Sequence, residues 1–166
     1  MNDVTILEAF KIAIIKAYKE SEDYFNPTNG RERSMVFRIA HHLARDIEKE
    51  LDMFVDIEAT RCNGRVKRII GNTIARPDLI VHKREGKGYF VAEFKCNKNS
   101  TQKLYDYAKL SAFTFKDKPK YLANCCPTYE MGAFVYLGNR IDDIRITLFE
   151  NGEVMRGLKD VPLHEI

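Results

Sequence analysis

Three charged residues lie in or beside two short apolar segments of the stretch RPDLIVHKREGKGYFVAEFKCNKN, residues 76–99. Asp78 opens the first segment, and Glu93 and Lys95 lie inside the second. Two nearby carboxylates repel each other unless a positive group intervenes, and their oxygens suit a hard divalent cation such as Mg²⁺. A lysine beside such an ion can orient or deprotonate a water molecule that attacks a phosphodiester. These residue types therefore indicate metal-dependent hydrolysis of phosphodiester bonds.

The spacing of the three residues predicts that a β-hairpin brings them together. Strands near residues 78–83 and 89–96 would be joined by a loop centred on Gly86, which places Asp78 opposite position 93 or 94. Side chains alternate along a strand, so Glu93 and Lys95 share one face, with Cα atoms about 7 Å apart. Phe90 and Phe94 would face the core on the other side.

A second interpretation of the same residues is structural. Glu93 or Asp78 could form a cross-strand ion pair with a lysine on a solvent-facing surface. The chain also contains a second Glu-x-Lys triplet, Glu85-Gly86-Lys87, in a polar turn where solvated charges cost little. Glu93-Phe94-Lys95 differs from it because it lies in an apolar strand, and this context favours the catalytic interpretation.

Pro77-Asp78 followed by Glu93-Phe94-Lys95 resembles the motif of the PD-(D/E)XK nuclease superfamily. The resemblance implies a restriction-endonuclease-like α/β fold, a mixed central sheet flanked by helices. It implies that Asp78 and Glu93 bind Mg²⁺ or Mn²⁺, that the Phe94 carbonyl assists, and that Lys95 acts on the attacking water. Lys103 and Tyr107 are similar to a Gln-x-x-x-Tyr motif of some members, with lysine in place of glutamine.

Glu32 is a candidate fourth acid at the start of a predicted helix over residues 31–51. It precedes Val36 by four residues and Ile39 by seven, so it heads the inward stripe and can reach the sheet. The stretch ERSMVFRIAHHL resembles the helix of small bacterial proteins in the superfamily. The competing interpretation is that Glu32 completes a helix cap begun by Asn29 or favours the helix dipole.

Basic residues are concentrated in the middle of the chain. Residues 61–98 contain ten Lys or Arg and three acids, a net charge of +7, which leaves −4 elsewhere in a chain of net +3. Such a segment suits contact with nucleic acid, although lysines that protect a hairpin edge from aggregation give the same pattern. The candidate phosphate-binding residues are Arg61, Arg65, Lys67, Arg68, Arg76 and Lys103.

Hydrophobic periodicity predicts one domain of 166 residues in three parts. An N-terminal helix occupies residues 1–25, a core with the hairpin spans 31–116, and strands follow in 130–158. The core would contain a strand over residues 66–70 and a third helix over 101–115, with Leu104, Tyr107, Ala108 and Leu110 on its apolar face.

The sequence thus predicts a cytoplasmic Mg²⁺- or Mn²⁺-dependent endonuclease that acts on DNA, although phosphate chemistry and a basic strip serve DNA and RNA alike. It contains neither a secretion signal nor a membrane-spanning apolar run. The alternatives are a nucleic-acid-binding module that retains the fold without cleavage, and a protein that binds only other proteins. Specificity in so short a chain would come from a homodimer or a partner protein.

Overall fold

The structure, a computed structural model, describes residues 3–21, 32–59, 61–62, 65–69, 73–84, 87–96, 100–119 and 126–166. Its helices are α1 (Asp3–Ser21), α2 (Glu32–Leu51) and α3 (Ser100–Thr114). Its strands are β1 (Phe54–Ile57), β2 (Arg61–Cys62), β3 (Arg65–Val66), β4 (Arg68–Ile69), β5 (Thr73–Ile74), β6 (Leu79–His82), β7 (Gly88–Lys95), β8 (Met131–Tyr136), β9 (Arg145–Glu150), β10 (Glu153–Val154) and β11 (Val161–Pro162). Two short 3-10 helices span Ile141–Asp143 and Leu163–Glu165.

A seven-stranded sheet forms the centre, in the order β1-β6-β7-β8-β9-β10 with β11 also paired to β9. Strands β7 and β8 are parallel, and the other neighbours are antiparallel. The predicted fold class, a mixed sheet flanked by helices, is therefore confirmed. Along the chain, helix α2 precedes the antiparallel strands β1, β6 and β7, and helix α3 lies between β7 and the parallel strand β8.

Helices cover both faces of the sheet. On one face α1 and α2 pack against Phe90, Ala92 and Phe94 of β7. Helix α2 does so because Met35, Ile39, Leu43 and Ile47, four residues apart, form its buried stripe. On the other face α3 packs against Val91 and the strands beside it. Strand β7 is therefore buried on both sides, whereas the sequence predicted a core on the Phe90 and Phe94 side alone.

Two predictions about the elements are wrong. The strand expected over residues 66–70 is divided at Lys67, because Arg65–Val66 pairs with Arg61–Cys62 and Arg68–Ile69 pairs with Thr73–Ile74. The apolar face expected for α3 is wrong at Leu104, which is 70% exposed, and at Ala108, which is exposed as well, whereas Leu110 is buried and Tyr107 packs against the core. The buried residues of α3 also include Asp106 and Lys109.

None of the helices in the described ranges is long and apolar enough to cross a membrane. The centre of the predicted hairpin loop at Gly86 lies outside the described residues.

Candidate active site

Asp78 and Glu93 meet where β6 begins and β7 nears its end. Leu79 pairs with Ala92, so Asp78, one residue earlier, lies next to Glu93 on the adjacent strand. The Phe94 N–H donates a hydrogen bond of 2.8 Å to Asp78 Oδ2, which orients this carboxylate towards β7. The predicted position of Asp78, opposite residue 93 or 94, is confirmed.

Glu93 is buried, with 0% exposure. Its Oε2 accepts a hydrogen bond of 2.6 Å from Lys109 Nζ, while its Oε1 is buried without a hydrogen-bond partner among the described residues. Burial, followed by the charge of Asp78, raises the pKa of Glu93 well above its usual value, although Lys109 acts in the opposite direction. The solvent-facing ion pair considered from the sequence is therefore wrong for Glu93, because α3 covers this face of the sheet.

Lys95 lies close to two carboxylates of the site, those of Asp106 and Glu32. Its Nζ donates to Phe94 O at 2.9 Å, and it lies 3.2 Å from Asp106 Oδ2 and 3.7 Å from Glu32 Oε1. Burial alone would lower the pKa of this ammonium, but the charges of Asp106, Asp78 and Glu32 outweigh it and raise the pKa.

Glu32, the first residue of α2, reaches the sheet as the sequence predicted. Its Oε2 accepts a hydrogen bond of 2.9 Å from the Cys96 N–H, directly beyond the end of β7. Burial raises the pKa of Glu32 even though Lys95 and this hydrogen bond lower it. Glu32 thus contributes a carboxylate to the candidate site, and Asn29, its alternative partner in a helix cap, lies outside the described residues.

Sequence reasoning missed two members of the site, Asp106 and Lys109 of α3. Asp106 Oδ1 lies 2.9 Å from Lys109 Nζ, and its Oδ2 pairs with Lys95. Asp106 therefore connects the lysine beside Glu93 with the lysine beside Glu32. A signal was available, since residues 106 and 109 are three apart and lie on the same face of the helix as buried Leu110 and Phe113.

Together these residues form a network of four carboxylates and two ammonium groups, with a net charge of −2 when all six are ionised. Its members are Glu32, Asp78, Glu93, Asp106, Lys95 and Lys109. No group of three or more His, Cys, Asp or Glu side chains in the described residues has an arrangement suited to hold a metal ion. Oxygen atoms of the kind that a divalent cation prefers are nevertheless close together: those of Asp78, Glu93 Oε1, which has no hydrogen-bond partner among the described residues, and the Phe94 carbonyl, which accepts a hydrogen bond from Lys95.

A cleft of about 560 Å³ opens beside Asp78 and Glu32. Arg76 lies on its wall, and Arg76 Nη1 is 3.8 Å from Glu58 Oε2. Arg33, from the first turn of α2, reaches the same carboxylate, with its Nε 3.1 Å from Glu58 Oε1. One arginine of the predicted basic strip is therefore next to the site.

Among the other strip residues whose side chains are described, Lys67, Arg68 and Lys103, none lines this cleft. The prediction that Lys67 binds phosphate is wrong, because its side chain is buried, with 1% exposure, and lies inside the molecule rather than on the surface. Arg68 is half-buried on β4, and Lys103 lies 3.8 Å from Asp160 and over the ring of Tyr107. Arg61 and Arg65 lie in β2 and β3, and their side chains are outside the described part of the chain.

No family model and no curated protein sequence matches the chain. Among solved structures, it is similar to a chain of the DrdV–DNA complex determined by cryo-electron microscopy, with a TM-score of 0.46 and 14% identity. The match covers 92% of this chain but only 12% of the other chain. A likeness at this level carries no information about activity.

Proposed function

We propose that the protein is a nuclease that uses a divalent metal ion, Mg²⁺ or Mn²⁺, to hydrolyse phosphodiester bonds of DNA. The observation that carries the proposal is the adjacency of Asp78 and Glu93, with Glu93 Oε1 buried and without a hydrogen-bond partner among the described residues. A buried carboxylate oxygen without a hydrogen-bond partner lowers the stability of the fold unless a cation or a hydrogen-bond donor interacts with it.

In this proposal Asp78, Glu93 and the Phe94 carbonyl hold the metal ion, and Glu32 assists. The surplus of two negative charges in the network matches the charge of one divalent cation. When bound, such an ion supplies Lewis-acid stabilisation of the charge that develops on the phosphate. Lys95 orients the attacking water, because its ammonium contacts the Phe94 carbonyl as well as the acids Glu32 and Asp106.

Asp106 and Lys109 act as positioning residues. Lys109 donates a hydrogen bond to Glu93 Oε2, and Asp106 forms ion pairs with both Lys95 and Lys109. Helix α3 therefore restrains two side chains of β7, the Glu93 carboxylate and the Lys95 ammonium. Fixed geometry of this kind lowers the cost of reorganisation during a reaction.

The decisive experiment compares the wild-type protein with Asp78→Ala on supercoiled, linear, branched and single-stranded DNA, each with Mg²⁺ or Mn²⁺. We expect cleavage by the wild type alone, and none in the presence of EDTA. Thermal unfolding provides a separate readout, since a ligand at a hundred times its Kd stabilises a folded protein by about 2.7 kcal/mol. Mn²⁺ should raise the Tm of the wild type and leave that of Asp78→Ala unchanged.

A second candidate function is a DNA-binding module without catalysis. The ion pair between Lys109 and Glu93 favours it, because a lysine already neutralises the carboxylate that the metal ion would need. This candidate predicts DNA binding without cleavage on every substrate and no effect of Mn²⁺ on the Tm. Cleavage that Asp78→Ala abolishes would exclude it.

A further inference from the structure

The cleft beside Asp78 and Glu32 has an apolar wall that is open to solvent. Phe37, one turn after Arg33 on α2, is 60% exposed, and Ile57 at the end of β1 is also exposed. The volume of about 560 Å³ lies within the roughly 300–1,000 Å³ of small-molecule sites. An exposed aromatic ring on the wall of such a cleft offers a flat surface on which a base can stack.

Two guanidinium groups point at one anion in the same cleft. Arg33 from α2 and Arg76, which precedes β6, both contact the carboxylate of Glu58, through its two different oxygens. Arginine is well suited to phosphate because its planar group donates several hydrogen bonds. The Glu58 carboxylate therefore occupies the position that a phosphate would take between the two arginines.

Glu58 is also connected to the candidate active site through the backbone. Its N–H donates a hydrogen bond of 3.1 Å to Asp78 O, and its φ of +48° lies in the left-handed region. Glu58 and Asp78 also line the same cleft, so a strand bound in the cleft lies beside Asp78.

We propose that the cleft binds one unpaired nucleotide of a DNA strand, with its base on Phe37 and Ile57 and its phosphate between Arg33 and Arg76, in place of Glu58. This inference rests on the proposed function and deepens it by naming the substrate class. In a continuous duplex both faces of each base are already stacked, so the substrate is DNA with an accessible single strand, such as a flap, a frayed end or a branch.

The test measures binding in EDTA, where no metal-dependent cleavage takes place. Anisotropy of a fluorescein-labelled mixed-sequence oligonucleotide is compared with that of the same strand in a blunt duplex. The wild type should bind the single strand more tightly than the duplex, and Phe37→Ala should weaken that binding about tenfold. Phe37→Tyr keeps a ring for stacking and should retain the wild-type affinity for the single strand. Phe115→Ala removes an exposed ring outside the cleft and should leave this affinity unchanged.

Substitutions of the charged residues test the phosphate position. Glu58→Gln removes the competing carboxylate and should tighten single-strand binding several-fold, whereas Arg76→Ala should weaken it. Equal affinity of Phe37→Ala and the wild type for the single strand, or tighter binding to the blunt duplex, would overturn the inference. If either of these results were found and the protein still cleaved DNA with a metal ion, only the nucleotide-binding inference would fail. If Phe37→Ala weakened single-strand binding but no DNA were cleaved, only the nuclease proposal would fail.

Discussion

At the scale of single residues, Glu93 shows how the candidate site departs from what stability alone favours. Its carboxylate is wholly buried, next to Asp78, and only one of its oxygens accepts a hydrogen bond among the described residues. Such a group costs free energy of folding, and proteins retain these groups where function requires them.

Glu93→Gln is therefore expected to stabilise the fold while it abolishes activity. The folded-state pKa of Glu93 lies above the ordinary carboxyl value of 4.5, so the folded state holds the proton more tightly and stability falls as pH rises from 4.5 through the folded-state pKa. Neutralisation should raise the Tm at neutral pH and flatten this pH dependence. Thermal unfolding of the wild type and of Glu93→Gln at a series of pH values measures both effects. Glu150→Gln, at an exposed carboxylate of β9, is the control, and a lower Tm for Glu93→Gln would contradict the prediction.

Lys95→Ala should lower the rate of DNA cleavage about 10²- to 10⁴-fold, because the ammonium that orients the attacking water is lost. The metal donors remain, so the Mn²⁺-dependent rise in Tm should persist. Steady-state cleavage and thermal unfolding are measured on the same samples, with Lys19→Ala, at an exposed lysine of α1, as control. Cleavage as fast as that of the wild type, with intact metal binding, would remove Lys95 from the mechanism.

At the scale of elements, two of the helices that pack on β7, α2 and α3, contribute charged groups to the site. Helix α3 brings Asp106 and Lys109 to the face that carries Glu93. Helix α2 brings Glu32 to the end of the strand, where its carboxylate binds the Cys96 N–H. The site therefore depends on how the helices dock against the sheet as much as on the hairpin itself.

Lys109→Met should destabilise the metal-free protein by about 1–3 kcal/mol, because Glu93 and Asp106 lose the donor they share inside the fold. A bound divalent cation can replace the missing charge, so Mn²⁺ should raise the Tm of this variant more than that of the wild type. Thermal unfolding with EDTA and with Mn²⁺ measures both effects. Equal Mn²⁺ shifts in the two proteins would show that Lys109 and the metal do not compete for Glu93.

Two substitutions of Glu32 separate its structural role from its charge. Glu32→Gln keeps an oxygen that can accept the Cys96 N–H bond, so its free energy of unfolding should stay close to that of the wild type. Glu32→Ala removes the acceptor and should cost about 1 kcal/mol. If the carboxylate serves the reaction, both variants should cleave more slowly than the wild type. Urea unfolding and cleavage rates test this, and full activity of Glu32→Gln would leave Glu32 with the structural role alone.

At the scale of the whole molecule, the charge distribution predicts salt-dependent binding to DNA. For three to five phosphate contacts with a single strand, the logarithm of the binding constant should fall against the logarithm of salt concentration with a slope of about −2 to −4. Arg76→Ala should make the slope about 0.7 less negative. DNA-binding titrations at several salt concentrations measure the slope. Binding that is insensitive to salt would favour the alternative that the protein binds only other proteins.

The sequence alone determined the order of the principal elements and the meeting of Asp78 with Glu93. Both depend on local information. A β-hairpin brings together residues close in the chain, and the apolar spacing of α2 follows from the periodicity of one helix. Glu32 was predictable for the same reason, since it heads that stripe.

Only the tertiary structure determined which charges surround Glu93 and Lys95. Periodicity assigns apolar residues to the buried face of a helix, so it placed Leu104 and Ala108 of α3 there, whereas Asp106 and Lys109 are buried beside Leu110 as partners for charges on β7. Periodicity likewise could not predict that Lys67 is buried, or that Arg33 and Arg76 contact Glu58. Such contacts join separate elements, and no local pattern encodes how those elements dock.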